Sequence, residues 1–175
     1  MRTIRTKLYQ FDELSKEAQQ TAISKNYDIN VDFDWWSFIY DDAKNIGLSI
    51  STFDIDRGDY CKGEFVDDAM ECARLIIAEH GETCETYKTA KNYISDYGKL
   101  VYKYSDGIKS NYVAEGNEHA FDQEADELDA EFLKSILEDY RIILSKEYAF
   151  LTSDEAIAET IRSNEYEFTI DGKQF

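Results

Sequence analysis

Along most of this chain apolar residues recur every third or fourth position, and only in a few short runs every second. The first spacing lines one face of a helix and the second one face of a strand. The longest helical run extends from about Asp122 to Leu151, where Leu133, Leu137, Tyr140, Leu144, Tyr148 and Leu151 predict a helix of about seven turns. Val66, Ala69, Met70, Ala73, Ile76 and Ile77 obey the same rule, with Gly81 as the stop. So do Leu14, Ala18, Ala22 and Ile23, preceded by Asp12 and Ser15, either of which is suited to cap the first turn by accepting a free N–H. Another helix is expected over "ETCETYKTAKNYISDYG", to Gly98; "KLVYKYSDGIKS" then reads as a strand or as an extension of that helix. Ser153, ahead of Asp154 and Glu155, starts a short helix to about Ser163.

Alternation marks the ends and one internal hairpin. "TIRTKLYQF" and "NEYEFTIDGKQF", the latter with Tyr166, Phe168 and Ile170 on one side, read as terminal strands that pair with each other. "LSISTFDID" and "DYCKGEF" read as two strands joined around Arg57 and Gly58. "DFDWWSFIYDDAKNIG" reads as a helix from Asp32 or Asp34 to Gly47, with Phe33, Trp35, Trp36, Phe38 and Tyr40 spread around nearly its whole axis. Such a helix is either sandwiched inside a core or presents a tryptophan to a partner. The expected fold is helix-dominated α+β, with a small antiparallel sheet. With no proline and no linker-like stretch, residues 1–175 are read as a single domain.

Charge changes the picture more than size does. Thirty-seven acids against nineteen bases give a formal charge of −18, a field that repels nucleic acid and anionic lipid and attracts basic protein surfaces. No direct nucleic-acid or membrane partner is therefore expected. The start of the chain lacks the apolar run of a signal peptide and no stretch is long and apolar enough to span a bilayer, which points to the cytoplasm. Cys61, Cys72 and Cys84 are odd in number and lack C-x-x-C spacing, so they read as reduced thiols.

Candidate chemistry begins with "TFDIDRGDYCKGEF", where Asp54, Asp56 and Asp59 lie close together and Glu64 follows. Counted from Asp54 as an EF-hand loop, position 5 is Gly58, position 6 Asp59 and position 12 Phe65, so the pattern fails where glycine and glutamate are needed. A solvated turn is the first reading and a divalent-metal site, with a metal-dependent enzyme built on it, the alternative. No cofactor is expected. The two histidines, His80 at a helix end and His119 in an acidic run, suggest no nucleophilic centre, and no phosphate-binding loop or dinucleotide fingerprint occurs. The expectation is a protein that is not an enzyme.

Two regions of opposite charge remain. Residues 86–110 carry Lys88, Lys91, Lys99, Lys103 and Lys109 against Asp96 and Asp106, interleaved with Tyr87, Tyr93, Tyr97, Tyr102 and Tyr104. That mixture suits single-stranded nucleic acid, but pairing with the protein's own acids is expected first. "DQEADELDAE" carries Asp122, Glu124, Asp126, Glu127, Asp129 and Glu131; on a helix Asp122, Asp126 and Asp129 share one side and Glu124, Glu127 and Glu131 another. It is either a solvated helix start or a ladder of charge that enters a basic cleft. The partner-binding candidates are these six acids, with Trp35 and Trp36 as apolar anchors.

The stretches "KLYQFDELSKEAQQTAI" (residues 7–23) and "IRSNEYEFTIDGKQF" (residues 161–175) carry a resemblance. Tyr9, Phe11, Asp12, Glu13, Leu14, Ser15 and Ala18, then Asn164, Glu165, Tyr166, Phe168, Asp171 and Gly172, make the chain similar to small acidic proteins of phages and other bacterial mobile elements, often labelled "antitoxin of toxin–antitoxin stability system". The two stretches cover about a fifth of the chain. The resemblance implies an accessory protein that binds a bacterial protein, either a toxin or a component of host defence. The expected function is thus an acidic inhibitor of a basic host protein such as a restriction nuclease or CRISPR effector, acting as a nucleic-acid mimic; an antitoxin is the alternative.

Overall fold

A computed structural model describes residues 6–105, 113 and 116–175 of the chain. The first residues of the expected N-terminal strand, and Asp106 and Lys109, lie outside them. Among the described residues there are six α-helices and two small antiparallel sheets, a helix-dominated α+β architecture. None of these helices is long and apolar enough to cross a membrane. The chain divides into two compact units, residues 1–36 with 145–175 and residues 37–144.

The first unit joins the two chain ends. β1 (Tyr9–Gln10) pairs with β4 (Glu167–Phe168), Tyr9 opposite Phe168 and Gln10 opposite Glu167. A single 3-10 turn (Phe11–Glu13) follows β1, closed by reciprocal bonds between Gln10 and Glu13. The two cap candidates then divide their work: the Ser15 hydroxyl accepts the Ala18 N–H at the start of α1 (Lys16–Lys25), while Asp12 pairs with Arg162 at 3.0 Å. α6 (Asp154–Ser163) starts in the same manner, its Ser153 hydroxyl accepting the Ala156 N–H. Ala18, Ala22 and Ile23 of α1 meet Ile157, Ala158 and Ile161 of α6, and Phe11, Leu14 and Phe168 close the cluster. Burying each large apolar side chain stabilises the unit by roughly 1.5–3 kcal/mol.

The terminal strands are shorter than their alternation suggested. After Phe168 the backbone reverses, with the Thr169 N–H donating to the Lys173 carbonyl and the Gly172 N–H to the Thr169 carbonyl. That turn puts Ile170 in solvent, 72% exposed, instead of beside Phe168. Gly172 has φ +76, and a Cβ there would lie 2.0 Å from the Ala18 carbonyl oxygen, so the turn is seated directly on α1.

The second unit begins with α2 (Ser37–Asn45), far shorter than the expected helix from Asp32 or Asp34. The Trp35 N–H donates to the Phe33 carbonyl, two residues back, so the chain is still turning there and both tryptophans precede the helix. Gly47, with φ +74, ends the segment as expected. β2 (Leu48–Asp54) and β3 (Tyr60–Phe65) form the expected hairpin, Leu48 opposite Phe65, with an irregularity between Ile50 and Thr52. α3 (Ala69–Glu79) is capped by Asp68, which accepts the Glu71 N–H, and buries Ala69, Cys72, Ala73 and Ile76. Val66 lies before this cap and is exposed, outside the helical face assigned to it.

α4 (Glu85–Tyr104) runs straight through Gly98, so the ambiguous stretch after that glycine extends the helix as far as Tyr104. α5 (Glu118–Leu151) starts four residues before the expected Asp122; its 34 residues span about 51 Å. Residues 118–144 of α5 belong to the second unit and 145–151 to the first. Phe132 of α5 stacks on Tyr93 of α4 at 4.3 Å and on Phe65 of β3 at 5.5 Å, and Ile136, Tyr140 and Leu144 are fully buried.

Candidate protein-binding surface

The carboxylates of the β2–β3 turn do three separate jobs. Asp54 accepts the backbone N–H groups of Asp56 and Arg57 at 2.9 and 3.0 Å. These bonds, with one from Gly58, hold its pKa below the usual carboxylate range. Asp56 is solvent-exposed with Arg57 beside it at 3.8 Å. Asp59, in the left-handed region at φ 46, pairs with Arg141 of α5, whose side chain is largely covered and whose guanidinium also holds Glu138. The three side chains do not converge, and among the described residues no group of three or more His, Cys, Asp or Glu is placed to hold a metal ion. The geometry is that of a tied turn: Asp54 holds the backbone N–H groups of the reversal and Asp59 ties it to Arg141, while Asp56 faces solvent.

The acidic run splits in two. Glu124 accepts Lys103 at 2.6 Å and the Tyr104 hydroxyl at 2.9 Å, which lower its pKa. Asp129 accepts the Tyr93 hydroxyl at 2.6 Å and is partly buried, so desolvation raises its pKa. These two acids tie α5 to α4. Asp122, Asp126, Glu127 and Glu131 remain exposed. They form two pairs four residues apart, each spaced by about 6 Å along the axis, on adjoining sides of the helix.

The lysines of α4 are exposed, but most of them are paired within the protein. Lys88 pairs with Glu85, Lys99 with Asp96 and Lys103 with Glu124, each at 2.6 Å, while Lys91 lies over the Tyr87 ring. Tyr97 and Tyr104 both meet the Phe121 ring edge-on, and Tyr102 is exposed. Three of the four described lysines in the candidate stretch therefore hold the protein's own acids, the pairing expected first.

Of the tryptophan anchors, Trp35 is buried, 5.6 Å from both the Trp36 and Tyr148 rings, while Trp36 is partly exposed. Trp35 is core, and only Trp36 has surface to offer. Both belong to the first unit, whereas the acidic run belongs to the second.

One polar network has no counterpart in the sequence reading. Fully buried Tyr140 donates its hydroxyl to Asp42 at 2.6 Å, the other oxygen of Asp42 lies 3.6 Å from His80, and the opposite ring nitrogen of His80 meets the buried Thr86 hydroxyl at 2.7 Å. It links α2, α4 and α5 through the residue that ends α3. Thr86 is 3% exposed, so the Thr–His–Asp order has no reachable nucleophile. Two of the three thiols are equally quiet: burial pushes Cys72 up to about 12 and Cys61 up to about 11, above the range in which a thiolate forms, while Cys84 is exposed. Residues 42, 80 and 140 are too distant in sequence for spacing to reveal this network. Comparison of the chain with protein-family models, with curated proteins and with solved structures finds no match.

Proposed function

We propose that the protein is a non-catalytic binding protein, of phage or mobile-element origin, that inhibits a basic nucleic-acid-handling protein in the bacterial cytoplasm by presenting carboxylates in place of phosphates. The carrying observation is the first half of α5. Between Glu118 and Glu131 it has seven acids and no lysine or arginine. Over a rise of about 20 Å that is one carboxylate per roughly 3 Å, against one phosphate per about 3.4 Å along a single DNA strand. Setting aside Glu124 and Asp129, which bond to α4, leaves one per roughly 4 Å. A rigid helix also holds its charges without the entropy loss that ordering a flexible acidic tail carries.

The supporting features are the net charge of −18 and the terminal resemblance to accessory proteins of mobile elements. The test separates local from global charge. Asp122→Asn, Asp126→Asn, Glu127→Gln and Glu131→Gln together take the formal charge from −18 to −18 + 4 = −14, as do Asp28→Asn, Asp32→Asn, Asp34→Asn and Glu165→Gln. The first set should abolish partner binding and the second should leave it largely intact. Equal effects from both sets would refer the binding to the overall field and remove α5 from the interface.

A further inference from the structure

Two hollows between α4 and α5 share Asp96, Leu128 and Glu131 and thus form one trough. One has a volume of about 240 Å³ and is floored by Tyr93, Leu128 and Phe132, with Asn92 and Ser135 on its walls. The other, about 460 Å³, continues past Leu100 and is flanked by Glu124, Glu127, Lys99 and Lys103. In the second hollow the lysines are held by Asp96 and Glu124, so Glu127 and Glu131 carry the charge that those lysines leave unmatched. No base lines the first hollow.

We infer that this trough receives arginine side chains of the basic partner. The inference rests on the proposed function and names the chemistry by which α5 would grip its target. Two features select arginine over a bare cation. In the second hollow the surface between the charged side chains is largely apolar, around Leu100 and Leu128, where the three-carbon stem of an arginine loses water at a gain. The rim of the first hollow offers several acceptors, the Glu131 carboxylate, the Asp96 oxygen that Lys99 does not hold, the Asn92 amide oxygen and the Ser135 hydroxyl. A guanidinium presents five donors in a fixed fork to such a rim, whereas an ammonium presents three and is more strongly hydrated. An exposed acidic row alone would not distinguish the two.

The experiment uses the full chain with methyl-labelled leucines, titrated with octa-arginine and octa-lysine peptides in about 0.15 M salt, where exposed charges more than about 8 Å apart are screened. Octa-arginine should shift the Leu128 and Leu100 methyl signals and octa-lysine should not. Glu131→Gln should weaken arginine-peptide binding about tenfold, the scale of one charge-assisted hydrogen bond. Asn92→Arg, an exposed wall position, should weaken it too by placing a like charge in the trough. Silent groove methyls, or identical shifts from both peptides, overturn the inference. The two readings fail separately: a silent trough in a chain whose basic partner still depends on Asp122 and Asp126 overturns only the arginine assignment. The absence of any salt-sensitive basic partner overturns the proposed function itself.

Discussion

Replacing Gly172 by alanine tests how closely the C-terminal turn is seated on α1. The residue has φ +76, a region that costs an ordinary L-residue about 1 kcal/mol. The added methyl would also lie 2.0 Å from the carbonyl oxygen of Ala18, 2.8 Å from its carbon and 3.1 Å from its Cα. Non-bonded carbon atoms sit near 3.5–4 Å apart and these are backbone atoms, so the turn must lift off α1 by more than about 1 Å. Overpacking of that kind costs roughly 1–3 kcal/mol, which brings the expected total to about 2–4 kcal/mol. Gly98 supplies the opposite case. It lies inside α4 with nothing within 4 Å of its would-be Cβ, so alanine there should stabilise by about 0.5–1 kcal/mol. Urea unfolding followed by tryptophan fluorescence reads the first variant directly, because both tryptophans belong to the unit that contains Gly172. Far-ultraviolet circular dichroism reads the second. A Gly172→Ala variant that loses less than about 1 kcal/mol would refute the close approach.

Three other perturbations probe the second unit and one cap. Tyr140→Phe removes the hydroxyl held by Asp42; because that carboxylate is half exposed and water replaces the lost donor, a loss of about 1–1.5 kcal/mol is expected in urea unfolding, and no loss would remove the bond from the stabilising set. Ile136→Ala empties a fully buried position and should cost roughly 2–5 kcal/mol, a smaller value indicating a site that collapses. Ser153→Ala should cost about 1 kcal/mol by freeing the Ala156 N–H, measured as a lower unfolding midpoint. Desolvation raises the Asp129 pKa, so the folded chain binds that proton more tightly than the unfolded one and this group's contribution to stability falls as pH rises through its titration. Asp129→Asn keeps an oxygen for the Tyr93 hydroxyl and drops the charge; the variant should match or exceed the parent at neutral pH, with the difference closing toward about pH 4, and a variant less stable at neutral pH would contradict the assignment.

Elements with strong local signals were legible in the sequence. Ser15 and Ser153 cap helices because a hydroxyl before an apolar run satisfies a free N–H whatever the rest of the chain does. The pairing of chain ends was legible from alternation, though Ile170 was assigned to the wrong side because the turn closed by Gly172 begins one residue after Phe168. The double tryptophan misled for the converse reason: Asp32 or Asp34 as a start and Gly47 as a stop framed the whole stretch as one helix, while the backbone bond from Trp35 to Phe33 sets a turn that such end signals do not record. Val66 matched a helical spacing until Asp68 intervened as the cap. In the acidic run the sequence supplied the charges but not their directions. Which carboxylates reach solvent depends on Tyr93, Lys103 and Tyr104 of α4, which lie 36, 21 and 20 residues from the acids they hold, and such pairings are set by packing between helices.

The central claim is that exposed carboxylates on α5 occupy a phosphate-binding surface of a basic protein. It is tested most directly by capturing partners on the immobilised chain from bacterial lysate and challenging the complex with a salt gradient and, separately, with duplex DNA. The expected result is a basic nucleic-acid-handling protein that leaves the column as salt screens the contacts, is displaced by duplex DNA, and is not retained by the Asp122→Asn, Asp126→Asn, Glu127→Gln, Glu131→Gln variant. A partner that resists both salt and DNA, or that the variant retains as well as the parent, would contradict the claim.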